Sequence, residues 1–248
     1  MTTSPSAPHA PGDSWESYGR SRVTTDAELG VGGRLHWDWY QRIGPGAELL
    51  GDLTGLTVAE LGAGAGRQAA HVAASFPVAR VVAIDSSTAQ HEQGVAAYGH
   101  LPHLTLAHAD ATTYLSDRPG TFDVCFSVFG AIDFTDPHAL LPAIHTGLRP
   151  GGRLVFSTLA HYRTGRAPES EARPATISAG TSERGTPTTM QRWVLDTPVW
   201  EKLLDSIGFT VAEVDTIRDP GSPGQPPIVT TIIRAQRSPL RSGTRSRP

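Results

Sequence analysis

The segment Glu60-Leu61-Gly62-Ala63-Gly64-Ala65-Gly66 carries the strongest chemical signal in this sequence. An apolar run ends in an acid, and glycines then follow at every second position. Glycine tolerates positive φ and has no side chain, so a ligand can approach the backbone of such a turn. The spacing is acid-x-G-x-G-x-G. A dinucleotide fingerprint, G-x-G-x-x-G, needs its third glycine where Arg67 stands. An acid ahead of the turn repels a pyrophosphate and can hold the cationic end of an aminocarboxylate. Two further acids follow at the ends of apolar runs. Asp85 closes VVAID, about 20 residues beyond the turn, where a carboxylate can accept both hydroxyl hydrogens of a ribose. Asp110 closes LAHAD and can accept from an exocyclic amine, while the next amide, Ala111, can donate to a ring nitrogen.

Elements that position such residues can be read around them. Apolar runs at 56–61, 79–85, 103–110, 121–128 and 152–159 end near turn signals and read as strands. Helical patterns separate them, with Ser86 or Ser87 and Asp136 as capping residues. This alternation predicts βαβ units, a parallel sheet covered on both faces, and right-handed crossovers. After 160 the rhythm breaks into a stretch at 161–190 rich in Gly, Pro, Ser and Thr, which reads as a binding loop or lid. A helix and two strands joined by a short Pro/Gly loop complete the chain, and these two strands must pair antiparallel. The expected organisation is a tail at 1–13, one domain at 14–237 and a tail at 238–248. Within the domain, 14–50 is expected as a helical cap, 51–160 as a cofactor-binding half, 161–190 as a substrate-side insertion and 191–237 as the closing helix and strands.

Together these motifs resemble the class I S-adenosylmethionine-dependent methyltransferase family. ELGAGAG resembles its first motif, AID its ribose acid, HADA its adenine-side acid, FDVCFSVFGAI its fourth-strand motif and LRPGGRLVFS its fifth-strand signature. The resemblance covers roughly 56–160. It implies a doubly wound α/β fold with a seven-stranded, mostly parallel sheet whose last strand is antiparallel. It also implies S-adenosylmethionine as cofactor, contacted by Glu60, Gly62, Ala63, Gly64, Gly66, Asp85, Ser86, Asp110 and Ala111, with Ser127 and Val128 beside the methionine portion. Tyr18, in a segment that closes over the site in related enzymes, is a further expected contact.

A sulfonium donor is already activated, so positioning carries most of such a reaction and a general base is needed only for a protonated nucleophile. The candidate bases are His36, His161 and Asp133. Trp37, Tyr40 and Phe129 are candidate substrate contacts. No metal-ligand spacing such as HExxH is present, and no metal is expected. The alternatives are a nicotinamide-dependent oxidoreductase and a sulfonium-binding protein of this fold that transfers no methyl group.

Composition narrows the partners. Of 248 residues, 21 are basic and 24 acidic, for a net charge of −3, so the strongly basic surface of a nucleic-acid binder is not expected. Lys202 is the one lysine beside many arginines, alanines and glycines, a composition typical of a GC-rich bacterial genome. No run is long enough for a membrane span, and the N-terminus lacks a signal-peptide apolar core. The single cysteine, Cys125, lies in an apolar run and reads as a buried small hydrophobe. A cytoplasmic monomer or homodimer acting on a small-molecule substrate is the expectation.

Overall fold

The computed structural model describes residues 33–181 and 187–239. Nine strands and six α-helices occur among them. A seven-stranded sheet has the order β3-β2-β1-β4-β5-β9-β8. Its strands are β1 (Thr57–Leu61), β2 (Arg80–Asp85), β3 (Leu104–His108), β4 (Phe122–Val128), β5 (Leu148–Leu159), β8 (Phe209–Asp219) and β9 (Ile228–Arg237). The first five strands pair in parallel, and β9 runs antiparallel between β5 and β8. Chain order reverses at β1, which has β2 on one side and β4 on the other. In open α/β sheets a ligand crevice opens at the carboxyl end of that point.

Each of the first strands is followed by a helix: α1 (Arg67–Ser75), α2 (Thr88–Tyr98), α3 (Ala111–Ser116), α4 (Ala131–Phe134), α5 (Pro137–Gly147) and later α6 (Thr197–Ile207). Ser87, Asp110, Asp136 and Asp196 cap helix N-termini through side-chain oxygens. Apolar side chains cover both faces of the sheet. One layer packs Leu61, Ile84, Phe122, Cys125, Phe156 and Trp200; the other packs Trp37, Leu50, Val58, Val72, Phe126 and Ile232. Burial pushes the Cys125 thiol up, so it stays protonated.

Two segments differ from the expectation. The stretch 161–190 was expected as loop, yet it holds a two-stranded antiparallel hairpin, β6 (Ala175–Thr181) with β7 (Pro187–Arg192). The N-terminal segment was expected to be helical. From Gly33 to Gly46 it runs as turns and irregular chain, and only the single 3₁₀ turn Ala47–Leu50 is helical among its described residues. Gly44, Pro45 and Gly46 interrupt any helix there. Trp37 anchors the segment instead: its ring is fully buried edge-on to Phe126, and its Nε1–H donates to the Gly46 carbonyl at 2.8 Å. Residues 14–32 of the expected cap lie outside the described residues.

Candidate active site

The three turn glycines all have positive φ: Gly62 at 70°, Gly64 at 57° and Gly66 at 81°. Each has a separate steric reason as well. A Cβ on Gly62 would run into the backbone amide of Ala131, and one on Gly66 would lie 2.9 Å from Leu106 Cδ2. A Cβ on Gly64 would come within 3.3 Å of Gln90 Oε1 at the cleft wall. The turn is tied to the second strand, because the amides of Gly62 and Ala63 both donate to the Ile84 carbonyl, at 2.9 and 3.0 Å.

The acids take distinct positions. Asp85 Oδ2 accepts from Gly64 N–H at 2.7 Å and Oδ1 from Ser87 N–H at 2.9 Å. Asp85 thus ties the glycine turn to the start of the second helix while it lines the cleft. Asp110 accepts from the amide and the hydroxyl of Thr113, at 2.9 and 3.2 Å. Both bonds use Oδ1, which leaves Oδ2 for a donor in the cleft. Glu60 is buried under the turn and accepts from Ala69 N–H at 2.8 Å. Burial pushes its carboxyl up to about 8, so it is largely protonated at neutral pH without a cationic ligand.

These residues line a cleft of about 1260 Å³. Glu60, Gly62, Ala63, Gly64, Asp85, Ser86, Asp110, Ala111, Val128, Phe129 and Tyr40 all contribute to its wall. Gly66 stands just behind the turn, against Leu106 and Ala83. Ser127 is also set back, fully buried, its Oγ–H donating to the Leu61 carbonyl at 2.8 Å, so its hydroxyl ties β4 to β1. Phe129 holds φ at 49°, uncommon for a residue with a side chain, at the point where β4 turns into the cleft. Its ring stands edge-on to Trp39 at 5.1 Å. Tyr40 donates its hydroxyl hydrogen to the Pro226 carbonyl at 2.8 Å and so fastens the N-terminal segment to the β8–β9 loop. Tyr18 lies outside the described residues.

Three candidate bases and Trp37 are set back from the cleft wall. Trp37 belongs to the core, as above. His36 Nδ1 lies 3.8 Å from Asp38 Oδ1, and burial lowers the imidazole's affinity for protons. His161 Nδ1 is 2.9 Å from the Tyr162 carbonyl, which makes that nitrogen the protonated donor. Asp133 is completely buried and ion-paired with Arg192. Burial raises its carboxyl, and the guanidinium and the Thr158 hydroxyl oppose that shift.

The wall also contains residues that the motifs did not single out. Gly130 packs so closely on the turn that a Cβ would run into the Leu61 and Gly62 carbonyls. The far end is formed by Trp39, Tyr162, Arg163, Arg166, Ile177, Met190 and Arg192. Exposed and inward residues alternate over Pro187–Arg192, but the inward set Thr188, Met190 and Arg192 is mostly polar and gives no apolar period in the sequence.

Comparison with known proteins agrees with this geometry. Residues 58–152 match the family model described as a methyltransferase domain. A trans-aconitate 2-methyltransferase of Methylobacterium radiotolerans is 36% identical over 120 residues, 46% of this chain and 44% of that protein. One from Deinococcus radiodurans is 33% identical over 105 residues, 42% of this chain and 38% of that protein. The chain thus spans less than half the length of these curated relatives in the matched stretch. A solved SAM-dependent methyltransferase from Methanosarcina mazei superposes with a TM-score of 0.62 at 14% identity, covering 79% of this chain and 99% of that one. The fold is that of S-adenosylmethionine-dependent methyltransferases of known structure, and residues 58–152 resemble a methyltransferase domain.

Proposed function

We propose that this protein transfers a methyl group from S-adenosylmethionine to a small-molecule acceptor, a bacterial secondary metabolite, in the cytoplasm. The observation that carries the reading is the conjunction of a three-glycine, positive-φ turn with Asp85 at the switch point of the sheet. The residues fit this cofactor. The positive-φ glycines let the turn fold tightly at the cleft, Asp85 and Asp110 present acceptors to the sugar and base sides, and Glu60 underlies the turn. A cleft of about 1260 Å³ exceeds the roughly 300–1,000 Å³ of a site for one small molecule, so donor and acceptor can share it.

When bound, the sulfonium supplies an electrophilic methyl carbon and leaves as a neutral thioether. The chain's part is placement. The Gly62–Gly66 turn and Asp85 fix one partner, and the aromatic wall of Trp39, Phe129 and Tyr162 confines the other. Such orientation contributes on the order of 7–11 kcal/mol to a displacement reaction. Among the described residues no side chain with an unshared role as base lines the wall between them, which suits an acceptor already nucleophilic at working pH.

Calorimetric titration of S-adenosylhomocysteine, with NADH in parallel, into wild type and Asp85→Ala tests the reading. Micromolar binding of the nucleoside alone, lost in the variant, is expected. Preferential binding of NADH would favour the oxidoreductase. A labelled-donor screen with metabolite extracts then separates transfer from binding without transfer.

A further inference from the structure

The two ends of the cleft differ in their ionisable groups. All of its described lining carboxylates lie at the strand-end half: Asp85, Asp110 and the largely protonated Glu60, with Arg67 beside the turn. The opposite end presents Arg163, Arg166 and Arg192, with no carboxylate among the described lining residues. Arg166 is neutralised by Glu169, which also accepts from Tyr162 Oη–H at 3.0 Å and Arg173 Nε–H at 3.0 Å. Arg163 has no ion-pair partner among the described residues. Its guanidinium stands 5.5 Å from the Trp39 ring centre, and that of Arg192 stands 5.0 Å from the same ring.

Arg192 is the built element. It is 4% exposed. Its guanidinium is held by Asp133 from behind and lies 5.0 Å from the ring centres of Trp39 and Phe134. The Trp193 amide, next in the chain, donates to the Asp133 carbonyl at 2.7 Å, which fixes the end of β7 against α4. Nε of Arg192 is buried with no hydrogen-bond partner. Arg192 also lines the cleft with its guanidinium fixed in orientation, so donors not engaged by Asp133 can meet an anion there. Arginine suits a planar carboxylate, because its fork of donors matches two oxygens.

We propose that Arg192, positioned by Asp133 and assisted by Arg163, binds a carboxylate of the methyl acceptor, whose planar body lies against Trp39 and Phe129. The acceptor is therefore an organic acid. This rests on the methyl-transfer reading for the identity of the other occupant, and it assigns Asp133 a positioning role.

Cinnamate and its neutral counterpart cinnamamide, titrated into the S-adenosylhomocysteine-saturated protein, test it. Cinnamate should bind and cinnamamide should not. Arg192→Met combined with Asp133→Asn, which leaves no buried charge unpaired, should weaken cinnamate by about ten- to a hundredfold, the loss of one charge-assisted hydrogen bond. The exposed variant Arg163→Ala should weaken it less, with an unchanged melting temperature. Neither variant should alter nucleoside affinity. Nucleoside binding without carboxylate binding, or displacement of the nucleoside by cinnamate, overturns the carboxylate site and leaves the methyl-transfer reading standing. Arginine-dependent carboxylate binding without nucleoside binding overturns the methyl-transfer reading instead.

Discussion

The two ends of the cleft are built by different means. The acid end comes from the consecutive strand–turn–helix units between Thr57 and Ser116, and its polar groups are held by backbone amides of the same units. The arginine end joins Trp39, Phe129, Tyr162 and Arg192, which come from four separate parts of the chain and are held by side-chain contacts among themselves. A site made of short-range backbone geometry can keep one ligand while the other end changes freely. On the proposed function this difference is a division of labour, with the turn serving the cofactor and the assembled wall the acceptor.

Disturbing Glu60 should give the largest effect. Its folded-state value of about 8 lies above the ordinary 4.5, so between these values the folded state binds the extra proton. The stability present below the lower value is lost progressively as pH rises to the upper one. The slope is about 1.4 kcal/mol per pH unit, several kcal/mol across the window. Denaturant melts of the ligand-free protein from pH 4 to 9 should show this decline, and Glu60→Gln should remove it. An unchanged slope in Glu60→Gln would mean that the buried acid does not titrate in this range.

Gly62→Ala should come next. The added Cβ meets backbone, which cannot move aside as a side chain can, and φ is 70°. A loss on the order of 3 kcal/mol is expected, with loss of nucleoside binding. Gly64→Ala meets only the flexible Gln90 amide at 3.3 Å. It should destabilise less and still impair the nucleoside, a contrast that thermal melts with and without S-adenosylhomocysteine would measure. Asp110→Ala should give the smallest stability change, about 1 kcal/mol for a lost helix cap. Its nucleoside affinity should nevertheless fall while cinnamate binding stays intact. If it weakens both ligands equally, the two ends are not separable.

The same division explains what could be read from the sequence. The sheet, its strand boundaries to within a few residues, and the caps Ser87 and Asp136 were legible because period, turn chemistry and capping are local. Glu60, Asp85 and Asp110 were legible as a group because each lies at or within two residues of the carboxyl end of its strand. The arginine end was not. Arg192 lies just past the stretch read as an insertion, and nothing near it in sequence announces Asp133, 59 residues away. Trp37 and Trp39 are the same residue type two positions apart, yet one is core and the other lines the cleft. Only the way the irregular segment from Gly33 to Gly46 lies across the sheet decides which.

The place of β9 between β5 and β8 has a consequence for how the chain is made. Synthesis proceeds from the N-terminus, so the five parallel strands and their glycine turn can pair among themselves before β9 is made. Strand β8 emerges next with no neighbour to pair with, and β5 keeps one raw edge. Both wait for the last strand to slide between them. That strand is then locked at its end by Arg237, whose guanidinium donates to the carbonyls of His145 and Leu148. A ribosome stalled before Ile228 would thus carry the glycine turn on five paired strands of the seven, with the edges of β5 and β8 exposed to any neighbouring chain.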